Sequence, residues 1–303
     1  MSASLLILDD EDIQARNLTR DLRAHFGDSY RVQYASEEAQ MLEAIAEWYY
    51  NVAIVDLRMD AYAHDGIALI RQIAEVNPYV DIIVLSAYAN EFAAQLTGLL
   101  QLGRIRAVID KGPYDKFLAE VIASVEQVVT AAAAADTDVH RSHLDYLYAT
   151  AKSAKLTTDK GELFERFVVV LFGLLGFNRI ERRQRDKSSN EVDLLIRNEQ
   201  RDPFLAKFGP YILVECKNEK VSVDKNTFVL FKTKLDHTSG LSSLGIIVTA
   251  RAFKRTAYLE AIRHSHTAPK VLFFSNLELV QLINSTDRLE TFKTIFDQQV
   301  KDN

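Results

Sequence analysis

Residues 190–218 read NEVDLLIRNEQRDPFLAKFGPYILVECKN. Two short apolar runs frame a polar connection. Val192, Leu194, Leu195 and Ile196 make the first run, with Asp193 set among them. Tyr211, Ile212, Leu213 and Val214 make the second, and Glu215 and Lys217 follow directly. Aliphatic runs of this length read as strands. Side chains alternate faces along a strand, so Glu215 and Lys217 share one face and Cys216 takes the other. If the two strands pair, Asp193 joins that face. Two carboxylates and an ammonium then meet at the end of an apolar sheet, where burial is costly unless they are paired or hold a cation. Oxygen ligands of this kind suit Mg²⁺ (or Mn²⁺), which accepts phosphate oxygens as well. Lys217 would orient a water for attack on a phosphate. A surface salt bridge at two strand ends is the plainer alternative for the same three residues.

The order is Asp193, then Glu215 22 positions later, then Lys217 two further on. Framed by two strands, this stretch resembles the PD-(D/E)xK nuclease superfamily.

The chain has 303 residues, enough for two domains, and its 48% hydrophobic and 26% charged content is that of an ordinary globular protein. A single cysteine, Cys216, allows no intrachain disulfide and fits a reducing cytoplasm. The opening MSASLLILDDED has no positive lead and turns acidic at once, unlike a signal peptide. No run reaches the length of a membrane helix, so no membrane partner is expected. The net charge of −6 is uneven: residues 1–135 hold 10 Lys+Arg against 20 Asp+Glu, and the remainder 26 against 22. A mildly basic second half is the part suited to nucleic acid.

The first half alternates strand and helix signals. SLLILDDED, YRVQYAS, YNVAIVDLRM, VDIIVLSAY and IRAVIDKGPY read as strands, each followed by a segment with helical spacing. Five such βα units imply a doubly wound parallel sheet with helices on both faces, and ligands at the carboxyl ends of its strands. Polar residues fall at those ends: Asp9 and Asp10, then Asp56, Ser86 and Lys111. This half resembles the receiver domain of two-component response regulators, which is flavodoxin-like. The resemblance implies that Asp56 is the phosphoacceptor and that Asp9, Asp10 and Asp56 hold Mg²⁺. It also implies that Ser86 and Lys111 contact the phosphoryl group, and that a histidine kinase or another phosphodonor is a partner. Three features depart from the family pattern. The loop from Asp56 to Gly66 is long and lacks the usual proline, Gly112 separates Lys111 from Pro113, and Val108 stands where an aromatic switch residue is usual.

The expected domains are residues 1–130, a helical connector over 131–157, and a second α/β domain over 158–303. The connector, VVTAAAAADTDVHRSHLDYLYATAKSAKLTTDKG, favours helix and has little Gly or Pro. His140 and His143 share a helix face, read as a solvated or interface face rather than a metal site. TTDKGELFERFVVVLFGLLGF reads as a buried helix with Asp159 and Glu162 as its capping box and Gly176 as its stop. Arg182, Arg183, Arg185 and Lys187 form a basic cluster that would contact DNA phosphates, or else the solvated tip of a hairpin. Strand and helix signals then alternate through LGIIVTA, RAFKRTAYLEAIRHS, KVLFFS and LELVQLIN. Together with LFERFVVVLFGLLGF, NEVDLL and LVECKN, these resemble the Mrr-like branch of restriction-endonuclease-like domains, which includes type IV restriction enzymes. The resemblance implies that Asp193 and Glu215 are metal ligands, that Lys217 is the catalytic lysine, and that Glu165 assists. Cys216 reads as core rather than nucleophile. His264 and His266 read as a solvated helix end, and Lys232 and Lys234 as candidate contacts to the DNA backbone.

The combined expectation is a Mg²⁺-dependent DNA endonuclease, controlled by phosphorylation of Asp56 and acting as a homodimer. Restriction of foreign DNA is the role the resemblance implies. The alternative is a signalling adaptor that binds nucleic acid or protein through a degenerate nuclease fold.

Overall fold

The computed structural model describes residues 3–60, 62–77, 80–87, 98–99, 103–134, 137–177, 179–185, 191–200, 202–219, 221–264 and 269–301. The chain divides between Ala135 and Asp136 into two units.

In the first unit five strands, β1 (Ala3–Leu8), β2 (Tyr30–Ala35), β3 (Val52–Asp56), β4 (Asp81–Ser86) and β5 (Ile105–Asp110), form one sheet in the order β2-β1-β3-β4-β5. All four pairings are parallel. The helices are α1 (Asp12–Phe26), α2 (Glu38–Glu47), α3 (Gly66–Val76) and α4 (Tyr114–Ala134). The helix read over 89–103 lies, apart from residues 98–99 and 103, outside the described residues. Strands buried on both faces read as continuous apolar runs, and here alternate residues divide between two helix layers. Leu6, Leu8, Ala53, Val55, Ile82 and Val84 pack with Met41 and Ile45 of α2 and Ile70 and Ile73 of α3. Leu5, Ile7, Ile54, Ile83 and Leu85 pack with Leu18 and Leu22 of α1 and Val121 and Val125 of α4. The doubly wound sheet expected from the sequence is therefore present, and the carboxyl ends of its strands gather at one edge.

The second unit starts with α5 (Thr137–Ser153) and α6 (Thr157–Leu174). Its strands are β6 (Ile180–Arg185), β7 (Glu191–Arg197), β8 (Tyr211–Lys217), β9 (Leu244–Thr249) and β10 (Lys270–Phe274), in the order β10-β9-β8-β7-β6. The β6–β7 and β7–β8 pairs are antiparallel, and β8–β9 and β9–β10 are parallel. The remaining helices are α7 (Lys225–Asp236), α8 (Arg255–Arg263), α9 (Asn276–Asn284) and α10 (Arg288–Lys301). Leu213, Ile247 and Phe273 face α7 and α8 and close a core with Phe228, Phe231 and Phe253. The run Phe167–Phe172 of α6 is buried all round, as its apolar character predicts. Phe172 meets Phe292 of α10, and Tyr148 of α5 packs on Phe167 with ring centroids 4.8 Å apart.

Several local expectations are corrected. Helix α6 begins at Thr157 after Leu156 without a side-chain cap, so Asp159 and Glu162 lie inside the helix rather than forming a capping box. A capping box does exist at Ser275 and Glu278, opening α9. Within the stretch read as a connector, Thr137–Ser153 is a helix that buries Leu144, Leu147, Tyr148 and Ala151. His143, read as part of a solvated or interface face, is buried.

Candidate active sites

The first site is the carboxyl edge of the parallel sheet. Asp56 ends β3, and Asp9 follows β1 directly. Asp9, Asp10 and Asp56 each place a carboxylate oxygen within 4.8 Å of the others. Asp9 and Asp56 are buried. Lys111 follows β5, with its Nζ 2.8 Å from Asp9 Oδ2 and 2.8 Å from Asp56 Oδ2. The Lys111 backbone N–H donates to Ser86 O at 3.1 Å, and Ser86, at the end of β4, is fully buried. The structure thus gathers all five predicted polar residues at one edge. Burial pushes the Asp56 carboxyl up to about 6, the Asp9 charge adds to the rise, and Lys111 pulls the other way. Burial works against the Lys111 ammonium, but Asp56 and Asp9 together overcome it and raise its pKa. Asp56 Oδ1 is buried with no hydrogen-bond partner. A buried carboxylate oxygen without a partner, inside a three-acid cluster, fits a hard divalent cation or a phosphoryl group.

The long loop after Asp56 has its own anchors. Tyr62 Oη donates to Ser36 O at 2.7 Å, and the His64 imidazole lies 2.7 Å from Glu38 Oε1. Gly66 closes the loop against β3: a Cβ there would stand 1.9 Å from Asp56 O and 2.6 Å from Leu57 Cα. Only glycine permits that approach. Val108 is 42% exposed on β5, so the position of the usual aromatic is open surface.

The second site is built by β7 and β8. Their antiparallel register pairs Leu194 with Val214, so the next residues outward, Asp193 and Glu215, stand opposite each other. Asp193 Oδ2 accepts the Cys216 backbone N–H at 2.7 Å. Glu215 is buried, and its Oε1 lies 2.8 Å from Lys217 Nζ. The expected alternation thus brings Asp193, Glu215 and Lys217 together. Burial pushes the Asp193 carboxyl up to about 6, and the Glu215 charge beside it adds to the rise. Two carboxylates side by side at a strand end, with Asp193 raised by burial and by the Glu215 charge, are a donor set for a hard cation, so the residues fit Mg²⁺ or Mn²⁺. Burial and the nearby acids hold the Cys216 thiol well above its ordinary range, so it is no thiolate nucleophile.

Three basic residues take roles other than those expected. Arg182 is not displayed for phosphate: it is buried in β6, with its Nη2 3.0 Å from Glu165 Oε2. This pair fixes Glu165 of α6 near the site, where its charge also reaches Asp193. Lys232 is buried and pairs with Asp236, while Lys234 Nζ sits 2.8 Å from Glu215 Oε2. The Lys234–Glu215 contact has no sequence signature, since the partners lie 19 residues apart on different elements. Lys187 and the side chains of Arg183 and Arg185 lie outside the described residues, as does His266. Among the described residues no helix is long and apolar enough to cross a membrane.

Residues 5–111 match the family model described as a response regulator receiver domain. Residues 156–283 match the Mrr catalytic model, described as restriction endonuclease. Transcriptional regulatory protein ZraR of Escherichia coli (strain K12) is 30% identical over 86 residues, which is 28% of this chain and 18% of that protein. Among solved structures, a CheY-like response regulator receiver domain protein from Methanospirillum hungatei JF-1 aligns at 19% identity. The alignment covers 43% of this chain and 96% of that one, with a TM-score of 0.37. The non-phosphorylated HemR receiver domain from Leptospira biflexa aligns at 22% identity over 42% and 94% of the two chains, with a TM-score of 0.35.

Proposed function

Because this chain joins a response-regulator receiver domain to an Mrr-type restriction-endonuclease domain, we propose that it is a divalent-metal-dependent DNA endonuclease governed by phosphorylation of Asp56. The observation that carries the reading is the meeting of Asp193, Glu215 and Lys217 at one end of the β7–β8 pair. Asp193 and Glu215 would hold Mg²⁺ or Mn²⁺, which supplies Lewis-acid charge for the phosphate and acidifies water. Lys217 orients the attacking water and neutralises charge growing on the phosphate oxygens. Glu165, fixed by Arg182, adds negative charge that keeps the site selective for a cation. In the receiver, Asp56 Oδ1 is the free nucleophilic oxygen. It forms the new bond to phosphorus as the phosphodonor's leaving group departs, and Lys111 and Ser86 receive the phosphoryl oxygens. Asp9 and Asp10, with Asp56, hold the ion there. Cutting both strands of a duplex requires two nuclease sites, so a homodimer is the working assembly.

The charge balance at Glu215, which two ammonium groups already neutralise, favours a second reading: a binding module in a nuclease fold. Cleavage of supercoiled plasmid in Mg²⁺ or Mn²⁺ separates the two. The wild-type chain should nick and linearise the plasmid, and Asp193→Ala and Lys217→Ala should abolish cutting while keeping a native melting curve. Undiminished cutting by Lys217→Ala sinks the catalytic assignment. A wild type that binds DNA but never cuts it favours the binding module.

A further inference from the structure

Strands β8, β9 and β10 run parallel, so their carboxyl ends share one sheet edge. At the end of β8, Glu215, Lys217, Lys234 and His237 line an open cleft of about 220 Å³. Lys217 pairs in register with Thr249 at the end of β9, and Arg251 stands two residues beyond. Asn276 lies just past β10, and its backbone N–H donates to Arg251 O at 2.9 Å. The Asn276 side-chain oxygen accepts the Tyr148 hydroxyl at 2.8 Å and Lys152 Nζ at 3.3 Å, both from α5. Lys152 Nζ also rests 4.9 Å from the Tyr148 ring centroid. The Arg251 charge reaches the same phenol, opposing the burial that pushes its pKa up to about 12. Two cations therefore converge on Tyr148 and Asn276.

Both cations are exposed. Among the described residues neither forms an ion pair; Lys152 meets a neutral amide oxygen and a ring. The acids along this edge are engaged elsewhere. Glu278, in the first turn of α9, accepts the Ser275 N–H at 2.8 Å. Glu219, next to Asn218, adds its charge to Lys217. The α9 amino end is already capped by Ser275, so the positive charge offered here is that of the two side chains. Like charges held at one point repel, and an anion between them removes the repulsion.

We propose that Lys152 and Arg251 form a subsite for the DNA backbone, sharing one phosphate of the strand whose scissile phosphate lies at Lys217. The proposal rests on the nuclease reading and adds a direction to it: DNA runs along the carboxyl edge from β8 toward β10. Those two strand ends are two strand spacings apart, about 10 Å. One strand of duplex DNA rises about 3.4 Å per nucleotide, so the phosphate taken is about three nucleotides from the cut.

The test is duplex DNA binding by the full chain across a salt series, in excess chelator so that no strand is cut. The double variant Lys152→Gln, Arg251→Gln should keep the wild-type melting curve. Its slope of log K against log salt should be shallower by about 0.9, one phosphate contact. A second double variant, Lys207→Gln, Lys301→Gln, removes the same charge from exposed positions of the same unit and should leave the slope as in wild type. An unaltered slope in the first variant overturns the proposal. So does an equal flattening in the second, which would make the attraction diffuse rather than local. Either result leaves metal-dependent plasmid cutting to stand or fall separately. A wild type that does not bind duplex DNA removes the nuclease reading and this one with it. Should the first double variant melt abnormally, Arg251→Gln alone repeats the measurement, and an unaltered slope again overturns the proposal.

Discussion

Lys111 lies 2.8 Å from Asp56, yet burial of the carboxyl outweighs that attraction and the Asp56 pKa rises to about 6, against 3.8 for a free side chain. Between those two values the folded state binds a proton that the unfolded state releases. Stability therefore falls as pH rises through this window, and the full cost is present at neutral pH. Asp56→Asn should stabilise the protein at pH 7 in excess chelator by about 1–3 kcal/mol, since each pKa unit is about 1.4 kcal/mol. It should also flatten the pH dependence between 4 and 6. Denaturant titrations at several pH values check this, and equal stability of wild type and variant at pH 7 would reject it. The acids of this edge were legible in the sequence because each sits where an apolar run stops, and such runs end at one edge of a parallel sheet. Arg182 was not legible. Its string of basic neighbours suggests a solvated cluster, and only the packing of β6 against α6 reveals that it is buried on Glu165.

At the scale of elements, Asn218 ties three together just beyond the strand end that carries Lys217. Its side-chain amide donates to Ala151 O at 3.0 Å and to Lys160 O at 2.9 Å. Ala151 lies in the last turn of α5, where helix carbonyls lack intrahelical partners, and Lys160 lies in the first turn of α6. Asn218→Ala should cost about 1–3 kcal/mol, because two partly buried carbonyls lose a donor. It should lower plasmid cutting more than DNA binding, since Lys217 loses its support while the cleft persists. Hydrogen exchange in the last turn of α5 and paired binding and cleavage assays read these effects, and a variant with wild-type cutting would show that Lys217 is held by its own strand. The sequence revealed strands buried on two faces and helices with long apolar runs. It did not reveal β6, whose IERRQR carries charge at most positions, nor α10. For α10 a signal was present: Phe292, Ile295 and Phe296 fall at helical spacing and are buried, and Asp287 accepts the Glu290 N–H at 3.0 Å at the helix start.

At the scale of the whole molecule, the chain divides chemically where it divides structurally. The acidic segment 1–135 has apolar clusters built from its own residues alone, and the core around Phe228, Phe231 and Phe273 draws only on the second unit. Two independent cores predict two thermal transitions. Beryllofluoride with Mg²⁺, a phosphoryl mimic that binds only the folded acidic site, should raise one of them. At 100 times its Kd a ligand adds about 2.7 kcal/mol, which for a unit of this size is a shift of roughly 5–10 °C. Asp56→Ala should abolish the shift without moving the other transition. If the mimic moves both transitions together, the acidic site of the first unit and the second unit share one cooperative structure, and the proposed control of cutting is conformational. If it moves only one, the proposed control runs through assembly, and sedimentation of the mimic-bound chain should then show the proposed dimer.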